Sequence, residues 1–259
     1  MPERPPVPGD GEGRVPSGYR QLTGGALFKR AIVLPSVAEN LGDFPVPGQP
    51  GLDIACGGGE STEPLERAGA HPVVGIDIAP AELPPYDAAR AARFMAADDT
   101  RLPFRDRTFR AVTSVFGWQN RSRKQAVLDI FHEVARVLRP GGVFLALVSY
   151  WGTPDTYTRQ YGVTAVTDRP PAAGPGAEPA EGAHRTVTVW NGPRPVLRLD
   201  NWLWTERTYR EAAAAAGLVW LPPRFARPAA ADVAAEPAFW APYLQQPQHI
   251  IIRARASVG

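Results

Sequence analysis

The segment LDIACGGGESTEPLERAGAHPVVGIDIAP, residues 52–80, constrains this chain more than any other part of it. A short apolar run, residues 51–56, ends in a cluster of glycines, and a helix-forming stretch from Ser61 to Ala68 follows at once. A second apolar run, residues 72–77, closes on an acid, Asp77. Glycines let backbone approach a ligand closely, and a helix N-terminus favours negative charge. An acid ending the next strand can accept from both ribose hydroxyls of a nucleoside. The unit therefore reads as strand, ligand-binding turn, helix, strand.

The rest of the first half repeats that alternation. Strands are expected at 93–97, weakly, and at 110–116 and 143–149, with a partial helix from Ala81 to Ala92 whose start is broken by Pro84 and Pro85. The clearest helix runs from Lys124 to Leu138. Ala126, Val127, Ile130, Phe131, Val134, Val137 and Leu138 share one face, and Arg139-Pro140-Gly141-Gly142 ends it. Alternation of this kind implies a doubly wound α/β sheet of parallel strands. From Tyr150 the pattern changes. Residues 168–183 read as a Pro/Gly/Ala-rich mobile loop, and 186–190 and 196–204 as two strands joined by a turn at Asn191-Gly192-Pro193. A helix from Glu206 to Ala216, capped by Gly217, and strands at 218–221 and 248–256 complete the chain.

The resulting division is a disordered tail, 1–17; an N-terminal helical cap, 18–47, with its helical spacing broken at Pro35; a nucleotide-binding core, 48–150; a substrate-covering insertion, 151–205; and 206–259, which returns to the core. Composition excludes several classes. Net charge is +2 with both signs scattered, so no basic stripe points to nucleic acid. No run of about eighteen apolar residues suggests a membrane span. The N-terminal MPERPPVPGDGEG lacks the apolar core of a secretory signal, so a cytoplasmic protein is expected. Cys56 is the single cysteine, which precludes an intramolecular disulfide or a cysteine metal cage. No pair of histidines has metal-ligand spacing, so no metal is expected.

Four motifs in order carry a resemblance to a known family. LDIACGGG resembles the first motif of class I S-adenosylmethionine (SAM)-dependent methyltransferases, and GIDIAP their second. ADDTRLPFRDRTF, residues 97–109, and VARVLRPGGVF, residues 134–144, resemble the third and the turn before the fifth strand. FGWQNRSRKQAVLDIFHEVARVLRPGG is most similar to the ubiquinone/menaquinone C-methyltransferase branch, and residues 186–222 to small-molecule methyltransferases of bacterial secondary metabolism. Arg110 departs from the family, where Asp is usual after that Phe. The resemblance implies a Rossmann-like seven-stranded sheet with the last strand antiparallel, N-terminal helices, and a substrate-covering insertion after strand five.

It also implies roles. Asp53 would orient the glycine turn near the SAM amino group, and Ala55, Gly57 and Gly59 would pass their backbone along the methionine moiety. Asp77 would hold the ribose and Ile78 would pack on adenine. Asp98 would accept from the adenine amine, with Asp99 beside it. Phe116 and Gly117 would line the sulfonium end, and Tyr19 would close over the cofactor. The implied product is S-adenosylhomocysteine (SAH).

Methyl transfer from a sulfonium is an in-line displacement in which proximity and alignment dominate. Candidates for a base are His184, Tyr150 and Tyr157. His71 reads as surface, His132 as solvated, and His249 as part of the last strand, leaving His184 the histidine expected to approach a substrate. Six tryptophans crowd the second half, which suggests an aromatic or apolar acceptor as readily as a packed core. The expected reaction is methylation of a small molecule at O, N or C in secondary metabolism, by a monomer or homodimer. The alternatives are a SAM-binding protein of this fold turned to cyclisation, decarboxylation or hydroxylation, a nicotinamide-dependent oxidoreductase, or a non-enzymatic binding partner.

Overall fold

The computed structural model describes residues 28–79, 93–152, 162–168, 181–191 and 194–258. Its centre is a seven-stranded sheet. The strands are β1 (Gly51–Ile54), β2 (Val73–Asp77), β3 (Phe94–Ala96), β4 (Phe109–Val115), β5 (Leu138–Ser149), β9 (Leu218–Phe225) and β10 (His249–Ala256). Their order is β3-β2-β1-β4-β5-β10-β9. β1 to β5 are parallel, while β10 runs antiparallel to both β5 and β9. The last strand is thus the reversed one, as expected. Strand order turns at β1 and β4, and ligands of open α/β sheets bind beyond the C-terminal ends of the strands at such a reversal.

Alternation along β5 shows why both faces carry cover. Phe144, Ala146 and Val148 join a core with Val127, Ile130, Phe131 and Val134 of α3 (Lys124–Val137) and Tyr209, Ala212 and Ala213 of α4 (Glu206–Ala215). Val143, Leu145 and Leu147 face the other way, into a core with Val37 and Leu41 of α1 (Leu34–Leu41), with Leu65 of α2 (Glu63–Arg67) and with Trp240 and Tyr243. Period-two alternation sends successive residues to opposite faces, so one strand feeds two hydrophobic cores. The apolar stripe read on Lys124–Leu138 is the buried face of α3.

Several boundaries differ from the sequence reading, each for a local reason. Pro35 does not break the N-terminal helix. It occupies the first turn of α1, where its missing N–H has no helical partner to lose, and a π-helical turn at Lys29–Val33 leads in. The expected helix at 61–68 is a 3₁₀ turn, Glu60–Thr62, followed by the short α2. Residues 139–142 end α3, yet the chain is already extended there: β5 begins at Leu138 and takes up a register shift opposite Phe109 and Ala111. The helix read at 81–92 lies outside the described residues.

The insertion holds more structure than expected. It is a three-stranded antiparallel sheet of β6 (Val163–Thr167), β7 (Ala183–Asn191) and β8 (Arg194–Leu203), where the sequence suggested two strands. Two helices, α5 (Ala230–Ala235) and α6 (Pro237–Gln245), were also unforeseen, and α6 carries Pro242 inside it. The insertion is tied back to the core: Trp202 N–H donates to Gln119 O at 2.6 Å and Trp204 Nε1 to Arg121 O at 3.1 Å.

Candidate cofactor and acceptor site

The turn after β1 curls because of backbone sign changes. Ala55, Gly57 and Gly59 have φ of 58°, 48° and 83°, interleaved with ordinary residues. Such alternation turns successive N–H groups toward one side and builds a concavity. The turn is fixed from two directions. Gly57 N–H donates to Asp77 Oδ2 at 2.9 Å, so the acid at the end of β2 grips the glycine loop directly. Below it, Asp53 is fully buried; its Oδ2 accepts from Ser61 Oγ at 2.5 Å and its Oδ1 from Thr113 Oγ1 at 2.8 Å. Burial pushes the Asp53 carboxyl up to about 6, against the pull of those two hydroxyls and of Lys29. Lys29 itself pairs with Glu60 at the start of the 3₁₀ turn.

Above the turn lies an open cleft lined by Ala55, Asp77, Ile78, Asp99, Asn120 and Arg121, among others. Gly117 forms part of its wall, and only glycine fits there: a Cβ would stand 2.4 Å from Ser114 Oγ and 2.9 Å from Ala55 Cβ. Asp77 has a second backbone donor, Ala79 N–H, at 2.9 Å from Oδ1. Ile78 is 38% exposed, an apolar side chain beside a polar cleft.

The adjacent acids separate clearly. Asp98 is exposed and accepts from Thr100 N–H and Oγ1 at 2.9 and 2.8 Å, which holds its carboxyl below the ordinary range although partial burial opposes this. Asp99 is buried, lines the cleft, and pairs with the buried guanidinium of Arg121. Burial raises Asp99 to about 6, with Arg121 working against it. The structure thus brings Asp99 into the cleft and turns Asp98 to solvent. Asn120 and Arg121 were not singled out. Asn120 Oδ1 and Arg121 Nε are buried with no hydrogen-bond partner among the described residues. The FGWQN motif was the available signal.

Phe116 follows β4 with φ of 58° and meets two rings, Phe28 at 6.3 Å and His249 at 5.4 Å. His249 is the first residue of β10, paired with Ser149 at the end of β5, and so lies at the ligand-binding edge of the sheet. Its Nδ1 is 3.2 Å from Tyr243 Oη, and it is 6% exposed. Burial, with Arg185 nearby, brings its pKa down to about 3, so the ring is neutral. No local pattern announced this pairing.

The base candidates read from sequence are placed elsewhere or not described. His184, on β7, has both ring nitrogens engaged: Nδ1 with Asp168 Oδ2 at 2.8 Å and Nε2 with Asp200 Oδ1 at 2.9 Å. The two carboxylates raise its pKa although partial burial opposes them. That setting favours imidazolium and suits an ionic clasp within the insertion. Tyr150 packs on Trp151 and Phe225 at 5.2 and 4.9 Å, toward the β9 edge. Tyr157 and Tyr19 lie outside the described residues. Trp118, Trp151 and Trp204 belong to the larger core and Trp240 to the other, so most of these rings serve packing. Among the described residues no group of three acids, histidines or cysteines could hold a metal ion.

Residues 52–146 match the family model described as "Methyltransferase domain". That span holds β1 to β5 up to Ala146 and most of the cleft. This core is a methyltransferase domain. The demethylmenaquinone methyltransferase of Mycobacterium bovis (strain BCG) is 44% identical over 108 residues, 42% of this chain and 43% of that protein. The chain thus matches less than half the length of this curated relative. Among solved structures, a SAM-dependent methyltransferase from Mesorhizobium loti superposes with a TM-score of 0.58 at 21% identity, covering 85% of this chain and 96% of the other. The 1,6-didemethyltoxoflavin-N1-methyltransferase of Burkholderia thailandensis, solved with 1,6-didemethyltoxoflavin and SAH, gives 0.54 at 17% identity, with 92% and 82% covered. At such identities these structures speak to the fold, and the methyltransferase fold extends over the insertion-bearing chain. Among the described residues no helix is long and apolar enough to cross a membrane.

Proposed function

We propose that this protein transfers a methyl group from SAM to a small-molecule acceptor, in the cytoplasm and in bacterial secondary metabolism. The observation that carries the reading is the cleft over the glycine turn, set in a methyltransferase domain. Its chemistry fits the donor. Asp77 presents a buried carboxylate for ribose hydroxyls, Ile78 an apolar flank for adenine, and Asp53 and Asp77 negative charge near the amino and sulfonium cations. Gly117 in the wall has no room for a Cβ, and the unmatched Asn120 Oδ1 and Arg121 Nε offer one acceptor and one donor to a ligand. When bound, SAM supplies the activated methyl. The chain's own part is to hold donor and acceptor in line and exclude water, a contribution of alignment rather than of covalent chemistry. Asp99, held by Arg121, is the acid within reach of the purine amine, and Phe116 with Gly117 borders the methyl.

The test is calorimetric titration of SAH into the protein and into Asp77→Ala. Micromolar-range binding weakened by about 100-fold or more in the variant is expected, since the substitution removes the ribose contact and frees the Gly57 amide. Equal affinity in the two proteins would remove Asp77 from the site, and no binding by folded wild type would refute the cofactor reading. Product formation from a true acceptor without SAH release would instead mark a fold turned to non-methylating chemistry.

A further inference from the structure

The turn that leaves β4 carries two polar atoms that the fold does not satisfy. Asn120 Oδ1 and Arg121 Nε are buried without a hydrogen-bond partner among the described residues, and both residues line the cleft beside Asp77 and Asp99. Arg121 as a whole is 4% exposed. Leaving a buried donor or acceptor unmet is costly, so an acceptor and a donor orphaned on adjacent residues of one cleft point to a ligand that meets both. The pair is held from two sides. Asp99 accepts from Arg121 Nη2, which fixes the guanidinium. On the other side β8 of the insertion grips the backbone around Asn120: Trp202 N–H donates to Gln119 O at 2.6 Å and Trp204 Nε1 to Arg121 O at 3.1 Å. Polar groups fixed by such supports discriminate between ligands that match them and ligands that do not.

Charge and lining narrow the ligand. Asp77 and Asp99 set two carboxylates against the one guanidinium in the lining, so the cleft does not suit an anionic group. Ile76, Ile78 and Ala97 give it apolar walls. A flat, neutral heterocycle fits, with a donor beside an acceptor on its edge. The 6-aminopurine of SAM has that edge: its amine donates and the adjacent ring nitrogen N1 accepts.

We propose that Asn120 and Arg121 are the specificity-determining residues for the cofactor's base, with Asn120 Oδ1 accepting from the 6-amine and Arg121 Nε donating to N1. The inference rests on the SAM reading above. It moves recognition of the base from Asp98, whose side chain is 48% exposed and already engaged by Thr100, to the turn after β4. The amine has two hydrogens, so one remains for Asp99. Arg121 carries donors and no acceptor, which makes it a reader of the unprotonated ring nitrogen.

SAH binding is measured first on the full chain, because its absence in a folded protein overturns the cofactor reading together with this inference. SAH is then compared with three analogues, each changed at one position of the base: 6-desamino, 1-deaza and 7-deaza. Wild type is expected to bind the 6-desamino and 1-deaza analogues at least about tenfold more weakly than SAH, and the 7-deaza analogue within about threefold of it. Asn120→Leu is expected to narrow the preference for the amine by about threefold or more and to keep the preference for N1. Arg121→Leu, made together with Asp99→Asn so that no buried charge is left alone, is expected to erase the preference for N1. A SAH-binding wild type that takes the 1-deaza analogue as tightly as SAH, or is penalised at N7 as much as at N1, overturns the inference alone. So does either variant if its preference is unchanged.

Discussion

Asp53 and His184 lie in the two halves of this protein and are held by opposite means. Asp53 is fully buried under the glycine turn, and that burial resists its charge although two neutral hydroxyls donate to its oxygens. His184 stands on the insertion sheet, its side chain 31% exposed, between two carboxylates that favour its charge. The core surrounding Asp53 has two large apolar clusters, whereas the insertion's own cluster is Ala165 and Val187 with Val163 and Leu199 packed against them. A thick core can fix a polar site by burial. A single three-stranded sheet has little apolar mass and depends on clasps and on its anchors to the core, such as Trp204 Nε1 to Arg121 O. The glycine turn is thus fixed by burial, and the insertion draws on weaker contacts.

Substitutions can break that contrast, beginning with the largest effect. Phe131→Ala removes a ring buried against Phe144, Trp118 and Tyr209, and should cost about 3–5 kcal/mol in chemical denaturation. If it costs no more than a surface change, the core is not what stabilises the site. Next comes Asp53. Its carboxyl ionises at about 6 when folded against 3.8 otherwise, so the folded state carries a penalty for charge above pH 6. The penalty is relieved as pH falls from 6 toward 3.8, where the folded state binds the additional proton. Asp53→Asn imitates the protonated acid. Its stability relative to wild type should therefore be higher at pH 8 than at pH 5, by roughly 1.4 kcal/mol. A pH-independent difference would show that Asp53 is not ionised against its surroundings.

Val187→Ala in the insertion should cost only about 1 kcal/mol, because its cluster is small and can relax. A loss as large as that of Phe131→Ala would mean the insertion is as rigid as the core. His184→Ala should have the smallest effect, and its sign of pH dependence is opposite to that of Asp53. The folded pKa lies above 6.5, so the clasp's contribution is complete below 6.5 and lost as pH rises through the folded value. The difference in thermal midpoint between wild type and His184→Ala should shrink from pH 6 to pH 9. A constant difference would assign His184 a packing role.

Features decided by neighbours in the chain were legible without coordinates. Asp53, the glycines, Asp77 and the stripe of α3 all fall within local patterns whose spacing has a physical period, and the structure puts them together at β1, β2 and one face of β5. Gly117 likewise stood out only because a motif framed it. Asp98 and Asp99 could not be ranked, since a one-residue difference changes which carboxylate turns inward, and a partner at Arg121 settled that. The third strand of the insertion escaped because β6 is short and its partner β7 begins only at Ala183. Helix α6 escaped because Pro242 inside it argues locally against a helix, which packing of Trp240 and Tyr243 overrides.

By itself, then, the sequence determined the alternating α/β plan, the glycine turn with its acids, and the family of the core, because these depend on backbone propensity and on short-range periodicity. Only the tertiary structure decided which acid faces the cleft, that His184 is clasped away as an ion pair, and that His249 meets Tyr243 and Phe116 at the sheet edge. Those outcomes turn on distances between residues far apart in the chain, and burial, which changes both the protonation and the availability of a side chain, exists only once the chain has folded.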